Sequence, residues 1–110
     1  MQKEDCIFCK LANGEIPTTL VYETDKLAAF NDANPKMPIH VLIVPKDHYA
    51  SLSDDIPAEL LGALMKAVPE VAKATGIYES GYRVVINTGD DANQTVKHVH
   101  VHVIGGAQMQ

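Results

Sequence analysis

Three histidines occupy alternate positions in His98-Val99-His100-Val101-His102-Val103-Ile104, and the pair Gly105-Gly106 follows. Alternation in a valine-rich run predicts a half-buried β-strand. Side chains on a strand point alternately to its two faces. Val99, Val101 and Val103 are therefore expected in a core, with the imidazoles on the opposite face about 7 Å apart. The glycine pair is expected to end the strand in a tight turn. Three chemistries fit such a row. It could be the polar outer face of an ordinary strand, although Thr, Lys or Glu would serve that purpose as well. It could hold a metal, since His-x-His can bring two ring nitrogens near one ion. Or the imidazoles could react themselves, as nucleophile and proton carrier.

The loop before this run, Gly89-Asp90-Asp91-Ala92-Asn93-Gln94-Thr95, is small and polar. Asn93, Gln94 and Thr95 offer hydrogen bonds, and Gly89 allows unusual backbone angles, so the loop could wrap an oxyanion. Its bland reading is a plain connection between strands.

The elements that must position these groups can be read along the chain. Lys10 to Gly14 reads as a short helical turn closed by glycine. Leu20-Val21-Tyr22-Glu23 and Leu27 to Asp32 read as strands joined by a turn at Thr24-Asp25-Lys26. Pro35 and Pro38 mark a loop. His40-Val41-Leu42-Ile43-Val44-Pro45 is an apolar run expected to be a central strand buried on both faces. Ser53 to Pro57 resembles a helix start. Leu60, Leu61, Leu64, Met65, Val68 and Ala72 form a helical stripe, with a kink or break expected at Pro69 and an end at Gly76. Tyr82 to Asn87 reads as a further strand. Strands joined mostly by short connections, with helices segregated, predict an antiparallel α+β domain.

The 110 residues fit a single domain spanning 1–110, and 46% apolar content is enough for one core. The net charge of −5 and the lack of tryptophan argue against nucleic acid or an anionic membrane as partner. No stretch is long enough to span a bilayer, and the charged N-terminus does not read as a signal peptide, so a cytoplasmic protein is expected.

The chain resembles the histidine triad (HIT) family, in the branch containing purine nucleoside phosphoramidases. The triad run carries the resemblance. Ile7-Phe8, Glu15-Ile16-Pro17, Phe30 with Asp32, Val44-Pro45-Lys46 with His48, Asn87 with Gly89, Gln94-Thr95, and Gly105-Gly106 with Gln108-Met109 extend it in register over nearly the whole chain. The resemblance implies a HIT-like fold, with an antiparallel sheet of about five strands, one long helix and one short helix, usually as a homodimer. It implies hydrolysis or transfer at the α-phosphate of a purine nucleotide derivative such as an adenosine 5′-phosphoramidate. His100 would be the nucleophile, forming a nucleotidyl-histidine that water cleaves. His102 would donate to the phosphate, and Thr95 would stand near the leaving group. Asn87, Asn93 and Gln94 would surround phosphate and ribose, and Asp32 would accept from the ribose hydroxyls. Ile7, Phe8, Leu11 and Phe30 would form the slot for the base. Relatives often carry glycine where Asn93 stands, and some animal relatives continue into a longer aromatic tail beyond the equivalent of Gln110. Other readings are a purine-nucleotide-binding regulator with little catalysis, or a metallohydrolase using the triad as ligands, which Asp90 or Asp91 would have to join.

Cys6-x-x-Cys9 could be redox-active, metal-binding or simply two small buried side chains. A redox pair would normally open a helix beside a parallel βαβ unit, which the pattern lacks. Zinc asks for about four N or S ligands, with His48 and His98 as candidates to complete the set. The resemblance implies that Cys6, Cys9, His48 and His98 hold a structural zinc. With no open ligand position, that zinc would not be needed for the chemistry. His40 reads either as a core histidine satisfied by backbone or as the group that holds a triad ring in place.

Overall fold

The structure is a computed structural model and describes residues 2–109. In chain order its elements are α1 (Ile7–Ala12), β1 (Leu20–Glu23), β2 (Leu27–Asn31), β3 (Ile39–Pro45), α2 (Ala58–Thr75), β4 (Tyr82–Val85), a 3-10 turn (Asp90–Ala92) and β5 (Val101–Gly105). The five strands form one antiparallel sheet in the order β1-β2-β3-β5-β4. The expected α+β architecture is therefore present, with one long and one short helix. No helix among the described residues is long and apolar enough to cross a membrane.

Both faces of the central strands are covered, which explains the unbroken apolar run of β3. On one face, α2 places Leu64, Ala67, Val68, Val71 and Ala72 against Leu27, Ala29, Val41, Ile43, Val101 and Val103. On the other, Phe8, Cys9 and Ala12 of α1 pack against Ala28, Phe30, Leu42 and Val44. Burying each large aliphatic side chain contributes about 1.5–3 kcal/mol, so the two clusters fix the sheet between its helices. His100 and His102 fall on the α1 face because Val101 and Val103 take the α2 face.

Several local expectations are corrected. The triad run is not one strand. Pairing begins only at Val101, because the Val99 amide donates to the Tyr49 carbonyl (2.7 Å) instead of to a neighbouring strand. Gly105 lies within β5, and Gly106, at φ 93°, makes the turn. The imidazoles do not form a solvated face, since His98 is 0% and His100 7% exposed. Helix α1 begins at Ile7, so Cys6 and Cys9 do open a helix. Pro69 does not break α2. Its missing N–H leaves the Met65 carbonyl without an intrahelical partner, but Met65 lies on the exposed side, where water can replace it. For the same reason Met65 is not part of the buried stripe, and Ala67 and Val71 are. Strands β2 and β4 stop short of Asp32 and Asn87 and release both residues toward the site.

Candidate active site

Two constellations meet along the segment His98 to His102. The first gathers Cys6, Cys9, His48 and His98, whose ligand atoms all lie within 4.8 Å of one another. His98 is its centre. The ring Nε2–H donates to the Pro45 carbonyl (2.8 Å), leaving Nδ1 with its lone pair. Onto Nδ1 converge Cys6 Sγ (3.2 Å), Cys9 Sγ (3.4 Å) and His48 Nδ1 (3.2 Å). His48 Nδ1 also faces Cys9 Sγ at 3.4 Å. One lone pair accepts one hydrogen bond, so this convergence is better served by a shared cation. Metal bonds of about 2.0–2.3 Å in a tetrahedron place neighbouring ligand atoms about 3.3–3.8 Å apart, close to the spacings here. The residues therefore fit a closed four-ligand metal site. Burial is the main cause that pushes the Cys9 thiol up and brings the His98 imidazole down to about 4. The neutral imidazole that results is the form that binds a metal, and a bound dication would deprotonate the thiols. The Cys9 amide donates to Cys6 Sγ (3.3 Å) and the Lys3 amide to Cys9 Sγ (3.4 Å), so backbone donors already face the sulfurs.

The second constellation is a relay of rings. The Lys36 amide donates to His40 Nδ1 (3.0 Å), so a neutral His40 carries its proton on Nε2. That Nε2–H faces His102 Nδ1 at 2.8 Å and Asp32 Oδ2 at 3.4 Å. His102 Nδ1 accepts, so its Nε2 carries the proton and presents it to the site. Asn87 Nδ2 lies 3.5 Å from that Nε2; turning the side-chain amide over brings its oxygen there as the acceptor for the Nε2–H. Asp32, His40 and His102 are close enough to suggest a metal triad. The Lys36 amide argues against it, because it holds His40 Nε2 in the protonated form. Both readings of His40 are thus realised: backbone satisfies one nitrogen, and the other orients a triad ring.

His100 joins the constellations. Its Nδ1–H donates to the His98 carbonyl (2.6 Å), which leaves Nε2 as the basic nitrogen. The Phe8 ring stands edge-on to His100 at 5.1 Å between centroids. Burial is the largest cause lowering both His100 and His102, and it brings His102 to about 4, with the neighbouring His100 and His40 rings adding to the effect. Neutral rings with defined tautomers are what nucleophilic and hydrogen-bonding roles need.

A cavity of about 440 Å³ brings together most of the residues singled out in the sequence. Ile7, Phe8, Leu11 and Phe30 form its apolar end; Asp32, Asn87, Asn93, Thr95, His100 and His102 form its polar end. Gln94 is the exception. Its buried amide donates to the Ala50 and Val96 carbonyls (2.6 and 3.0 Å) and accepts from the Gly89 amide (3.0 Å), so it braces the loop instead of facing a ligand. Asn93 sits at φ 61°, the left-handed region that asparagine tolerates and glycine favours. Asp90 and Asp91 are exposed, and Asp90 pairs with Lys97 (2.7 Å), away from both clusters. Leu42 and the Lys36 amide were missed in the sequence. Leu42 could have been found, since it shares strand parity with His40, whereas a backbone donor leaves no signal in residue type.

Replacing Gln94 by Ala leaves three backbone groups without their partner. We expect a stability loss of about 2–3 kcal/mol in urea unfolding, the scale of unsatisfied buried groups.

Comparison with known proteins agrees with this geometry. The model of the HIT domain matches residues 13–109. A 14 kDa zinc-binding protein of Zea mays is 48% identical over 107 residues, covering 94% of this chain and 83% of the relative. The crystal structure of a HIT family hydrolase from Legionella pneumophila is 42% identical, covers 96% of each chain and superposes with a TM-score of 0.90. A histidine triad protein from Clostridium difficile is 47% identical, with 100% and 97% of the two chains covered and a TM-score of 0.93. The His98-x-His100-x-His102 run and the sheet that carries it are those of the histidine triad family, to which this chain belongs.

Proposed function

We propose that the protein is a hydrolase acting at the α-phosphate of purine nucleotide derivatives, of the adenosine 5′-phosphoramidate type, through a covalent intermediate on His100. The observation that carries this reading is the pair of opposite tautomers. His100 keeps a bare Nε2 because its Nδ1–H is held by the His98 carbonyl, while His102 offers an Nε2–H because His40 occupies its Nδ1. A nucleophile and a hydrogen-bond donor thus line one cavity. The relative titled a hydrolase supports the reaction class.

In the proposed reaction the purine lies between Phe8, Phe30, Ile7 and Leu11, and the ribose hydroxyls face Asp32. His100 Nε2 attacks phosphorus, forming an N–P bond. The P–N bond to the leaving amine breaks, and the amine departs with that electron pair and a proton from the solvent side, where exposed Thr95 stands. The His102 Nε2–H donates to the phosphate oxygens as their charge grows. Water then attacks phosphorus, the bond to His100 breaks, nucleoside monophosphate is released with loss of one proton to solvent, and Nε2 regains its lone pair.

Cys6, Cys9, His48 and His98 would hold zinc, a reading supported by the donor set and by the maize relative's name. A zinc with four protein ligands supplies charge and rigidity, not a reactive water. It would tie the N-terminus to His98, whose carbonyl orients His100. We also propose a homodimer, supported by the free edge of β4, where Arg83 and Val84 are exposed.

His100→Ala is expected to remain folded and to lose activity by about a thousandfold or more. Intact-mass spectra of wild type, quenched early with adenosine phosphoramidate, should show a transient gain of one AMP that the variant lacks. Saturable nucleotide binding without turnover would instead indicate a binding protein. Native mass spectrometry should find one zinc per chain, and its removal by a chelator should lower Tm by about 10 °C. Because His102 is held at about 4, mainly by burial, it stays neutral well below the ordinary imidazole range. Protonation of Nδ1 would break the bond from His40, so kcat/KM should hold as pH falls through about 6.5 and decline only at more acidic pH.

A further inference from the structure

A second cavity, of about 480 Å³, adjoins the first and shares with it Asp32, Asn34, Asn87, Asn93, Thr95 and His102. Beyond this shared band the two differ. The first is closed by Phe8, Phe30 and His100; the second by Lys36, His40, Val85 and Ile104. His100 lines the first alone. Displacement at phosphorus runs roughly in line, so the leaving group departs on the side opposite the nucleophile. In the proposed reaction, with phosphorus beside the shared band and His100 on the side of the first cavity, we assign the leaving group to the second cavity.

The charges there are few. Among the residues lining the second cavity, Lys36 brings the one permanent cation and Asp32 the one carboxylate. Asp32 is already engaged: Oδ1 accepts from the Asn34 amide (2.8 Å) and Oδ2 faces His40 Nε2. Lys36 is exposed and makes no ion pair among the described residues. Lys36, an exposed lysine without an ion pair among the described residues, lines this cavity in a chain of net charge −5 and marks a place for an anion. One lysine and one carboxylate in the lining suit a monoanion better than a dianionic phosphate. Val85 and Ile104 add an apolar wall for a short carbon chain.

We propose that this second cavity is a leaving-group subsite that selects an amine carrying a carboxylate, with Lys36 as the specificity-determining residue. The proposal rests on the reading above of hydrolysis at the α-phosphate. Every non-proline substitution at position 36 keeps the amide that holds His40, so changing the side chain tests the ammonium apart from the ring relay.

The test compares adenosine 5′-phosphoramidates of glycine and of glycinamide, which are nearly isosteric and differ in charge. Wild type should favour the glycine derivative in kcat/KM by about three- to tenfold, and the ratio should shrink at high salt. Lys36→Met should bring the ratio near one, and Lys36→Glu should invert it. Lys73→Glu, the same charge change on α2, should leave it as in wild type. A wild-type ratio at or below one, or a ratio indifferent to Lys36→Glu, overturns the subsite. ADP provides a further arm: stronger dependence on Lys36 for a phosphate leaving group than for glycine overturns the carboxylate assignment. Turnover of the glycinamide derivative shows the hydrolase independently of the subsite. Turnover of neither compound overturns the hydrolase reading and the subsite with it.

Discussion

Every part of the site leans on how His98 is held. The ring is completely buried, and each of its polar atoms has a separate task. Nε2–H is spent on the Pro45 carbonyl at the end of β3, Nδ1 faces the two sulfurs and His48, and the backbone carbonyl takes the proton of His100. A buried imidazole left unpaired would be costly, and this one is satisfied only in one orientation. That orientation fixes the His98 peptide, and the peptide fixes the tautomer of the neighbouring His100 ring. The cluster and His100 are therefore coupled through one residue of backbone.

The sheet supplies the second constraint. β3 and β5 pair Leu42 with His102 and His40 with Ile104, which makes His40 and His102 diagonal neighbours on one face. The α2 core on the opposite face prevents a register slip, because a shift by one residue would drive histidines into an aliphatic layer. Packing energy far from the cavity thus fixes the distance between the two rings. The donor to His40 comes from the loop carrying Pro35 and Pro38, whose restricted backbones limit where the Lys36 amide can point.

Much of this was legible in the sequence because it depends on periodicity and residue type. The valines of the triad run, the apolar run of β3 and the end of α2 at Gly76 follow from patterns of two and of three to four residues. The residues of the cavity's apolar end and of the Cys6, Cys9, His48 and His98 cluster were also legible, through the resemblance. What could not be read has a common cause, which is competition by backbone groups. The Val99 amide leaves the sheet for Tyr49, and the Lys36 amide settles which ring nitrogen of His40 accepts. Gln94 looked like a ligand donor because its amide is polar, yet three backbone partners consume it. Pro69 looked like a breaker, but its cost falls on a carbonyl at the wet side of the helix.

The contact between Cys6 and His98 spans 92 positions of the chain. Local elements such as α2 or the β1–β2 hairpin can form early, whereas a contact of that separation pays its loop-closure entropy late. During synthesis the N-terminal cysteines emerge first and wait for almost the entire chain before His98, the second of their histidine partners, exists. The geometry of the cavity is thus a property of the finished polypeptide, and a nascent chain stalled before residue 98 would carry Phe8 and Phe30 without His98, His100 or His102.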